Sequence, residues 1–150
     1  MAARIRAAVV GSTGYGGVDL LRLLRRHPHV EVTSVISSSS AGQDISGGYP
    51  HLADIYEGTL DPVDVDLIRQ KADVVFAATP SGASSELVPA FLDAGLKVID
   101  LSGDFRLKSG ALYEKWYRKK PADEKYLVRA VYGLCEVFGD EVKGSDFVSN

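Results

Sequence analysis

A glycine-rich loop most constrains the fold of this chain. Residues 11–17 read GSTGYGG, with glycine at the first, fourth and seventh positions, a regularity that a flexible linker does not require. An apolar run, IRAAVV, precedes the loop, and residues 18–26 follow it with leucines at helical spacing and arginines near the end. A buried strand, a glycine-rich turn and an amphipathic helix in this order predict the first half of a β-α-β unit.

The loop is predicted to hold an anion. Backbone N–H groups at the start of the helix face such a ligand, and the helix dipole adds its positive end. Glycine supplies the positive φ, the close ligand approach and the tight packing that this turn needs, and the hydroxyls of Ser12 and Thr13 add donors. The spacing is related to the dinucleotide fingerprint G-x-G-x-x-G, although a tight turn without a ligand has the same local pattern. The candidate residues are Gly11, Ser12, Thr13, Gly14, Tyr15, Gly16 and Gly17.

Strands and helices alternate along the first two thirds of the chain. Residues 30–37 complete the β-α-β unit as a second strand. The pattern continues with a helix at 65–72, a strand at 73–79, a serine-capped helix at 84–95 and a strand at 97–102. Such alternation predicts an α/β fold of the Rossmann type, a doubly wound, mostly parallel sheet with helices on both faces.

The other segments are less regular. We expect a surface loop at 42–49, a helix at 111–120 and strands within 128–136 and 146–150. Leu112, Tyr113 and Trp116 are expected to face the core from the 111–120 helix.

Four serines stand where the type of cofactor is decided. In NAD-binding units an acidic residue about 20 residues beyond the glycine loop holds the ribose 2′-hydroxyl. Here Ser37, Ser38, Ser39 and Ser40 take that place, and they carry no charge that would repel a 2′-phosphate. The run therefore favours NADP over NAD. It contains no arginine or lysine, and a solvated turn remains the alternative.

Composition narrows the class of function. The chain has 150 residues, the length of one domain, and a net charge of −3 without basic clusters for nucleic acid or anionic lipid. No apolar run approaches the ~20 residues that span a bilayer. A single cysteine excludes an internal disulfide and a cysteine-based zinc site. We expect a cytoplasmic protein with a small-molecule ligand and with no metal, nucleic acid or membrane partner.

Five segments in a fixed order point to one enzyme family. They are GSTGYGGVDLLRLLRRHP (11–28), SSAGQDISGGYPHL (39–52), FAATPSG (76–82), DLSGDFRL (100–107) and VYGLCE (131–136). Together they resemble the N-terminal half of N-acetyl-gamma-glutamyl-phosphate reductase, and the likeness extends over nearly the whole chain. DFRL, YPHL and YGLxE are more specific than the glycine loop. The resemblance implies an NADPH-dependent oxidoreductase of arginine biosynthesis that reduces an acyl phosphate to an aldehyde.

The resemblance also implies that the reacting group lies outside this chain. The nucleophile of the family is a cysteine in the pattern S-N-P-G-C-Y, which forms a thioester, and this chain ends at Ser149-Asn150. We therefore expect residues 1–150 to be an NADP-binding domain that binds cofactor without turnover. The catalytic and dimerisation domain of a homo-oligomeric enzyme would follow. Cys135 stands where the family usually has proline, and we expect it to be a small buried side chain and not the nucleophile.

Further contacts follow from the same resemblance. The cofactor's nicotinamide half is expected beside Thr79, Pro80, Ser81, Gly82 and Ser102. Arg106 is expected either to clamp the phosphate leaving group or to pair with Asp104 and hold their loop. Glu136 is expected either to line the cysteine pocket or to form a salt bridge at the domain boundary.

Two alternatives stay open. A related aspartate- or aminoadipate-semialdehyde dehydrogenase shares parts of the pattern, and the aminoadipate enzyme shares DFRL. A non-catalytic NADP-sensing domain would have the same fold. A continuation with P-G-C-Y beyond Asn150 would distinguish the enzyme from the sensor.

Overall fold

One six-stranded sheet organises the chain in the computed structural model, which describes residues 3–53 and 55–150. Its strands are β1 (Ile5–Val10), β2 (Val30–Ile36), β3 (Val74–Ala77), β4 (Lys97–Asp100), β5 (Val131–Tyr132) and β6 (Phe147–Ser149). They lie in the order β2-β1-β3-β4-β6-β5, and each adjacent pair is parallel. The predicted α/β sheet of the Rossmann type is confirmed.

Different helices cover the two faces of the sheet. The helices are α1 (Tyr15–Arg25), α2 (Ile45–Gly48), α3 (Val65–Lys71), α4 (Ala83–Asp93), α5 (Gly110–Tyr117), α6 (Glu124–Arg129) and α7 (Cys135–Lys143), and a 3₁₀ turn spans Pro50–Leu52. Ala7 and Val9 of β1 belong to a core with Leu21 of α1, whereas Ala8 belongs to a core with Phe91 of α4. Alternate residues of a strand point to opposite faces, so an apolar strand supplies both cores.

The start of α4 differs from the predicted serine cap. The N-cap is Gly82, with a φ of 97°, and α4 receives no side-chain hydrogen bond from it. Ser84 is fully buried in the first turn and donates its hydroxyl to Asp100 at 2.6 Å. Pro89 lies inside the helix and does not delay its start. The Ser84 hydroxyl therefore makes a tertiary contact and does not cap the helix, and the first N–H groups of α4 find their acceptor in another part of the chain.

The strand expected within 128–136 is present but short. It is β5, whose two residues pair with β6 at the edge of the sheet. The flanking residues form α6 and α7, and Tyr126 and Leu127 of α6 pack in the core beside α4. Short-range alternation does not reveal this packing of a helix onto the sheet. The strand expected within 146–150 is present as β6.

The helix expected at 111–120 is α5, but it buries less than predicted. Tyr113 is fully buried, whereas Leu112 is 48% exposed and Trp116 is 70% exposed, so their predicted core positions are wrong. α5 ends early because Arg118 adopts a left-handed conformation with a φ of 54°. The loop expected at 42–49 also contains α2, which buries Ile45 completely.

Candidate functional site

The cleft at the carboxyl ends of the central strands is the candidate functional site. β1 pairs with β2 on one side and with β3 on the other, so the topological switch point lies between β1 and β3. Open parallel sheets bind ligands at such a point. The cleft there has a volume of about 450 Å³, within the range of small-molecule sites. The predicted residues that line it are Gly11, Thr13, Gly14, Tyr15, Gly16, Ser37, Ser38, Ser39, Thr79 and Pro80.

The three spaced glycines of the loop have different structural roles. Gly11 has a φ of 77°, and a Cβ there would lie 2.8 Å from the carbonyl carbon of Ala78, just after β3. A Cβ at Gly17 would lie 2.7 Å from the Cα of Ser12. Gly14, the N-cap of α1, has an ordinary φ of −80°, and a Cβ there would meet only the Gly11 carbonyl oxygen, at 3.6 Å. The turn and the packing therefore require Gly11 and Gly17, whereas Gly14 leaves space for a ligand.

The hydroxyl of Ser12 does not take its predicted role as a ligand donor. Ser12 is fully buried, and its hydroxyl donates to the Ile36 carbonyl oxygen at 3.1 Å, which ties the loop to β2. Thr13 is half-buried and lines the cleft. Gly14 has no side chain to cap α1, and Tyr15 at the first helical position is 97% exposed. The donors offered to an anion are therefore backbone N–H groups at the start of α1 and the Thr13 hydroxyl.

Three of the four serines form a chain of hydroxyl groups at the rim of the cleft. The buried Ser37 Oγ lies 3.5 Å from the Ser39 Oγ, which lies 3.5 Å from that of Ser40. The Ser40 hydroxyl in turn lies 3.3 Å from the phenol oxygen of Tyr49. Ser38 and Ser39 are exposed and line the cleft, so they are the serines that a bound ligand would meet.

Tyr49 links the serine run to the glycine loop. Its phenol shares hydrogen bonds with the hydroxyls of Ser40 and Thr13, and these bonds lower the pKa of the phenol below its ordinary value. The side chain of Tyr49, in the YPHL segment, therefore joins two walls of the cleft, the one formed by residues that follow β1 and the one formed by residues that follow β2. No local pattern in the sequence predicts this link, because it depends on how residues 42–52 fold back.

A buried polar network holds the third wall of the cleft. The Thr79 Oγ1 lies 2.7 Å from the Ser84 hydroxyl, which donates to one oxygen of Asp100 at 2.6 Å. The Ser102 hydroxyl donates to the other oxygen at 2.8 Å and accepts the N–H of Asp104 at 3.1 Å. Ser102 was predicted to face the cofactor, but it is buried and its hydroxyl is engaged within the protein.

Asp100 is the central residue of this network and was not among the site residues predicted from the sequence. Its side chain is fully buried, and burial raises the pKa of its carboxyl, partly offset by the hydrogen bonds from Ser84 and Ser102. Asp100, Ser102 and Asp104 alternate along the chain, and this D-x-S-x-D spacing was the available signal. Polar residues at every second position directly after an apolar strand share one side of the backbone.

Two of the three segments that are most specific to the resemblance, DFRL and YGLxE, meet at the end of β6. The Arg106 Nε donates to the Asn150 carbonyl oxygen at 2.9 Å, and its terminal nitrogen donates to the Leu101 carbonyl oxygen at 3.2 Å. The Gly133 N–H donates to the Ser149 carbonyl oxygen at 2.8 Å. A Cβ at Gly133 would lie 2.9 Å from the Asn150 Oδ1. DFRL, YGLCE and the final Ser-Asn are thus brought together, although they are far apart in the sequence.

The expected pairing of Arg106 with Asp104 is wrong. The Asp104 carboxylate instead accepts the N–H groups of Gly82 and Ser85 and the hydroxyl of Tyr113. Arg106 is exposed, and the two carbonyl oxygens orient its guanidinium. The remaining expectation for Arg106, a contact with an anionic group, is compatible with this placement.

Cys135 and Glu136 begin α7 and do not line the cleft. Cys135 is exposed and its thiol donates to the Gly133 carbonyl oxygen at 3.5 Å, so the expectation of a buried side chain is wrong. Glu136 is exposed in the first turn of α7, where the helix dipole favours a carboxylate. Within the described part of the chain, Glu136 takes part in no salt bridge.

Comparison with known proteins identifies the family. A family model described as semialdehyde dehydrogenase, NAD binding domain, matches residues 6–145. The chain belongs to this family. Among its relatives are the N-acetyl-gamma-glutamyl-phosphate reductases of Bacillus cytotoxicus, 48% identical, and Brevibacillus brevis, 47% identical, each over 97% of this chain. Each match covers 42% of the relative's own length, so the chain spans less than half of the curated relatives it matches. The resemblance noted in the sequence is confirmed.

Solved structures share the fold of this semialdehyde dehydrogenase NAD-binding domain. The aspartate semialdehyde dehydrogenase II of Vibrio cholerae, complexed with ASA, has a TM-score of 0.65 at 18% identity, over 98% of this chain and 41% of that one. The aspartate semialdehyde dehydrogenase of Candida albicans, with NADP, has a TM-score of 0.62 at 24% identity, over 69% of this chain and 31% of that one. The family assigns a nicotinamide dinucleotide to this fold.

Two kinds of feature are absent from residues 3–53 and 55–150 of this NAD-binding domain. They contain no group of three His, Cys, Asp or Glu side chains that could hold a metal ion. None of the helices in these ranges has the length and apolar character needed to cross a membrane.

Proposed function

We propose that this chain is the NADP-binding domain of an enzyme that reduces N-acetyl-gamma-glutamyl phosphate to the corresponding semialdehyde in arginine biosynthesis. The observation that carries the proposal is the meeting of DFRL, YGLCE and Ser149-Asn150 at the end of β6, next to the cleft walls formed after β3 and β4. Relatives with that enzyme name are 45–48% identical over 97% of the chain. The solved aspartate semialdehyde dehydrogenases share only 18–28% identity with this chain.

The cleft fits a dinucleotide in one orientation. The open space at Gly14 and the uncapped start of α1 suit the pyrophosphate. The exposed hydroxyls of Ser38 and Ser39, at the end of β2, suit a ribose 2′-phosphate, because they donate hydrogen bonds and no carboxylate among the described residues lines the cleft. The nicotinamide half then extends across the switch point toward Thr79 and Pro80, after β3. When bound, the reduced nicotinamide supplies the hydride.

The acyl-transfer chemistry is proposed for residues that follow Asn150. A cysteine there would form the thioester, at the end of β6, where Arg106 reaches the Asn150 carbonyl oxygen. Arg106 is exposed and oriented by two carbonyl oxygens, so we propose that it holds the phosphate of the substrate. Glu136, in the first turn of α7, is proposed to line the same region. A cytoplasmic location, a homo-oligomeric whole enzyme and the inactivity of the isolated domain remain predictions.

Titration of the chain with NADPH and with NADH tests the proposal. We expect tighter binding of NADPH, and we expect Gly14→Val to abolish binding of both cofactors without unfolding the chain, because a side chain at this position meets no close atom of the protein. Ser38→Asp places a carboxylate beside the 2′-phosphate and should weaken NADPH binding by about tenfold or more while sparing NADH.

A charge control separates this effect from a general one. Val137→Asp adds the same charge at a position that is 65% exposed on α7 and outside the cleft, and it should leave both affinities unchanged. Equal affinities of the unmodified chain for NADPH and NADH would refute the role of the serines. Binding that survives Gly14→Val would refute the placement of the pyrophosphate.

A further inference from the structure

The Asp104 carboxylate is buried without a cationic partner. Its side chain is fully buried, and none of the salt bridges within the described ranges includes it. The Gly82 N–H donates to its two oxygens at 2.9 and 2.7 Å, the Ser85 N–H donates at 3.0 Å, and the Tyr113 hydroxyl donates at 2.7 Å. A buried charge is tolerated only when such bonds replace its water, so this carboxylate depends on all three donors.

These bonds cap α4 from a distant part of the chain. The first N–H groups of a helix need acceptors, and the N-cap Gly82 has no side chain to provide one. Asp104 lies 22 residues further along the chain and provides the acceptor, with a negative charge at the positive end of the helix dipole. The cap therefore joins the segment after β4 to the segment after β3.

The same contacts fix the loop that precedes α4. Gly82 has a φ of 97°, which other residues rarely adopt, and this conformation directs its N–H to Asp104. The carbonyl oxygen of Ser81 accepts a hydrogen bond from the Lys119 ammonium on the opposite side. Thr79 and Pro80, at the start of this loop, line the cleft. Both polar groups of the peptide unit between Ser81 and Gly82 are thus held by residues, Lys119 and Asp104, that do not themselves line the cleft.

We propose that Asp104 is a positioning residue that holds residues 79–82 in place for the nicotinamide half of the dinucleotide. The inference rests on the proposed binding mode, in which the adenosine half of the dinucleotide lies beside the residues that follow β2 and the nicotinamide half lies beside the residues that follow β3. Tyr113 supports Asp104, because its hydroxyl donates to the same carboxylate oxygen as the Gly82 N–H and its ring stacks on that of Tyr117 at 4.7 Å. Asp104 acts through the loop and touches neither the cofactor nor the substrate.

Binding of whole cofactors and of their adenosine fragments tests this role. NADPH is paired with adenosine 2′,5′-bisphosphate, and NADH is paired with AMP, so the test does not depend on which cofactor the chain prefers. Asp104→Asn removes the negative charge and replaces one accepting oxygen by an amide N–H₂ group, which is itself a donor. We expect the affinity for the whole cofactor to fall about tenfold, while the affinity for the fragment changes less than about twofold. A merely structural role would weaken both ligands alike.

Two further variants keep the test interpretable. Tyr113→Phe removes one donor and keeps the ring, so it should fold even if Asp104→Asn does not, and it should weaken whole-cofactor binding about threefold with the fragment unchanged. Asp73→Asn is the matched control, because this carboxylate also accepts a backbone N–H, that of Arg6. Asp73 directly precedes β3 and therefore lies at the amino ends of the strands, away from the cleft. This variant should change neither affinity.

The outcomes separate the inference from the proposed function. If the unmodified chain binds neither cofactor nor fragment, the proposed binding mode fails. If it binds them and Tyr113→Phe and Asp104→Asn affect whole cofactor and fragment equally, or affect neither, the role of Asp104 is refuted.

Discussion

Gly16 and Gly17 are neighbours in the first turn of α1, and replacing each with alanine separates helix propensity from backbone packing. Alanine in place of glycine inside a helix gains about 0.5–1 kcal/mol in either position. A Cβ at Gly16 meets no atom within 4 Å, so Gly16→Ala should retain the whole gain. A Cβ at Gly17 would lie 2.7 and 2.9 Å from backbone atoms of Ser12, and closer still to the carbonyl oxygen of Gly11.

The expected difference between the two variants is large. Overpacking costs about 1–3 kcal/mol, and the upper end applies at Gly17 because the opposing atoms are backbone and cannot rotate away. After the propensity gain, Gly17→Ala should lose about 2 kcal/mol of unfolding free energy. For a domain of this length, that loss corresponds to a decrease in Tm of about 4–8 °C, against an increase of about 1–4 °C for Gly16→Ala.

Urea unfolding followed by circular dichroism measures both values, and thermal unfolding provides a second measure. The slopes of the urea transitions should agree with that of the unmodified chain, so that the shift in midpoint reports stability alone. If the two alanine variants moved in the same direction by the same amount, the close packing of the glycine loop against α1 would be refuted, and with it the assignment of Gly17 as a packing glycine.

Two other predictions concern charges and the thiol. Arg129 lowers the pKa of the Asp146 carboxyl below its ordinary value of about 3.9, so the pair stabilises the fold above that pH and loses its effect as the pH falls through the lower, folded-state value. Because the side chains are 38% and 51% exposed, Arg129→Met should cost no more than about 1 kcal/mol at pH 7 and progressively less as the pH falls below about 3.9. Urea unfolding over this pH range measures the difference, and a loss that does not shrink as the pH falls would contradict the assignment. The exposed Cys135, the single cysteine of the chain, should react fully with a chromogenic thiol reagent in the native protein, and labelling that requires denaturant would contradict its exposure.

The first two thirds of the fold could be predicted because the signals there are local. The bounds of β1 follow from the mainly apolar run IRAAVV, and α1 begins at Tyr15, within the glycine-rich segment. The positive φ of Gly11 is a property of one residue and its neighbours. The family resemblance was equally visible, since it rests on motifs that are read along the chain. The position of the cleft then follows from the strand order of a doubly wound sheet.

The errors concern side chains whose partners are distant in sequence. Ser12 was predicted to bind the ligand, but its hydroxyl is used by the Ile36 carbonyl 24 residues away. The pairing of Asp104 with Arg106 was predicted from their proximity in sequence, whereas Asp104 caps a helix 22 residues earlier. Trp116 was placed in the core by helical spacing, but spacing does not tell which side of a short helix meets the protein.

The sequence by itself determined the order of β1 to β4 with α1, α3 and α4 between them, the glycine loop and the family, because periodicity, φ preferences and motifs are encoded in neighbouring residues. Only the tertiary structure decided which polar groups face the ligand and which serve the fold. A buried polar group must find a hydrogen-bond partner, and the partner is chosen by the approach of β3, β4 and β6, which no local pattern specifies. Asp100 and Asp104 therefore became the supports of the cleft only when these strands came together.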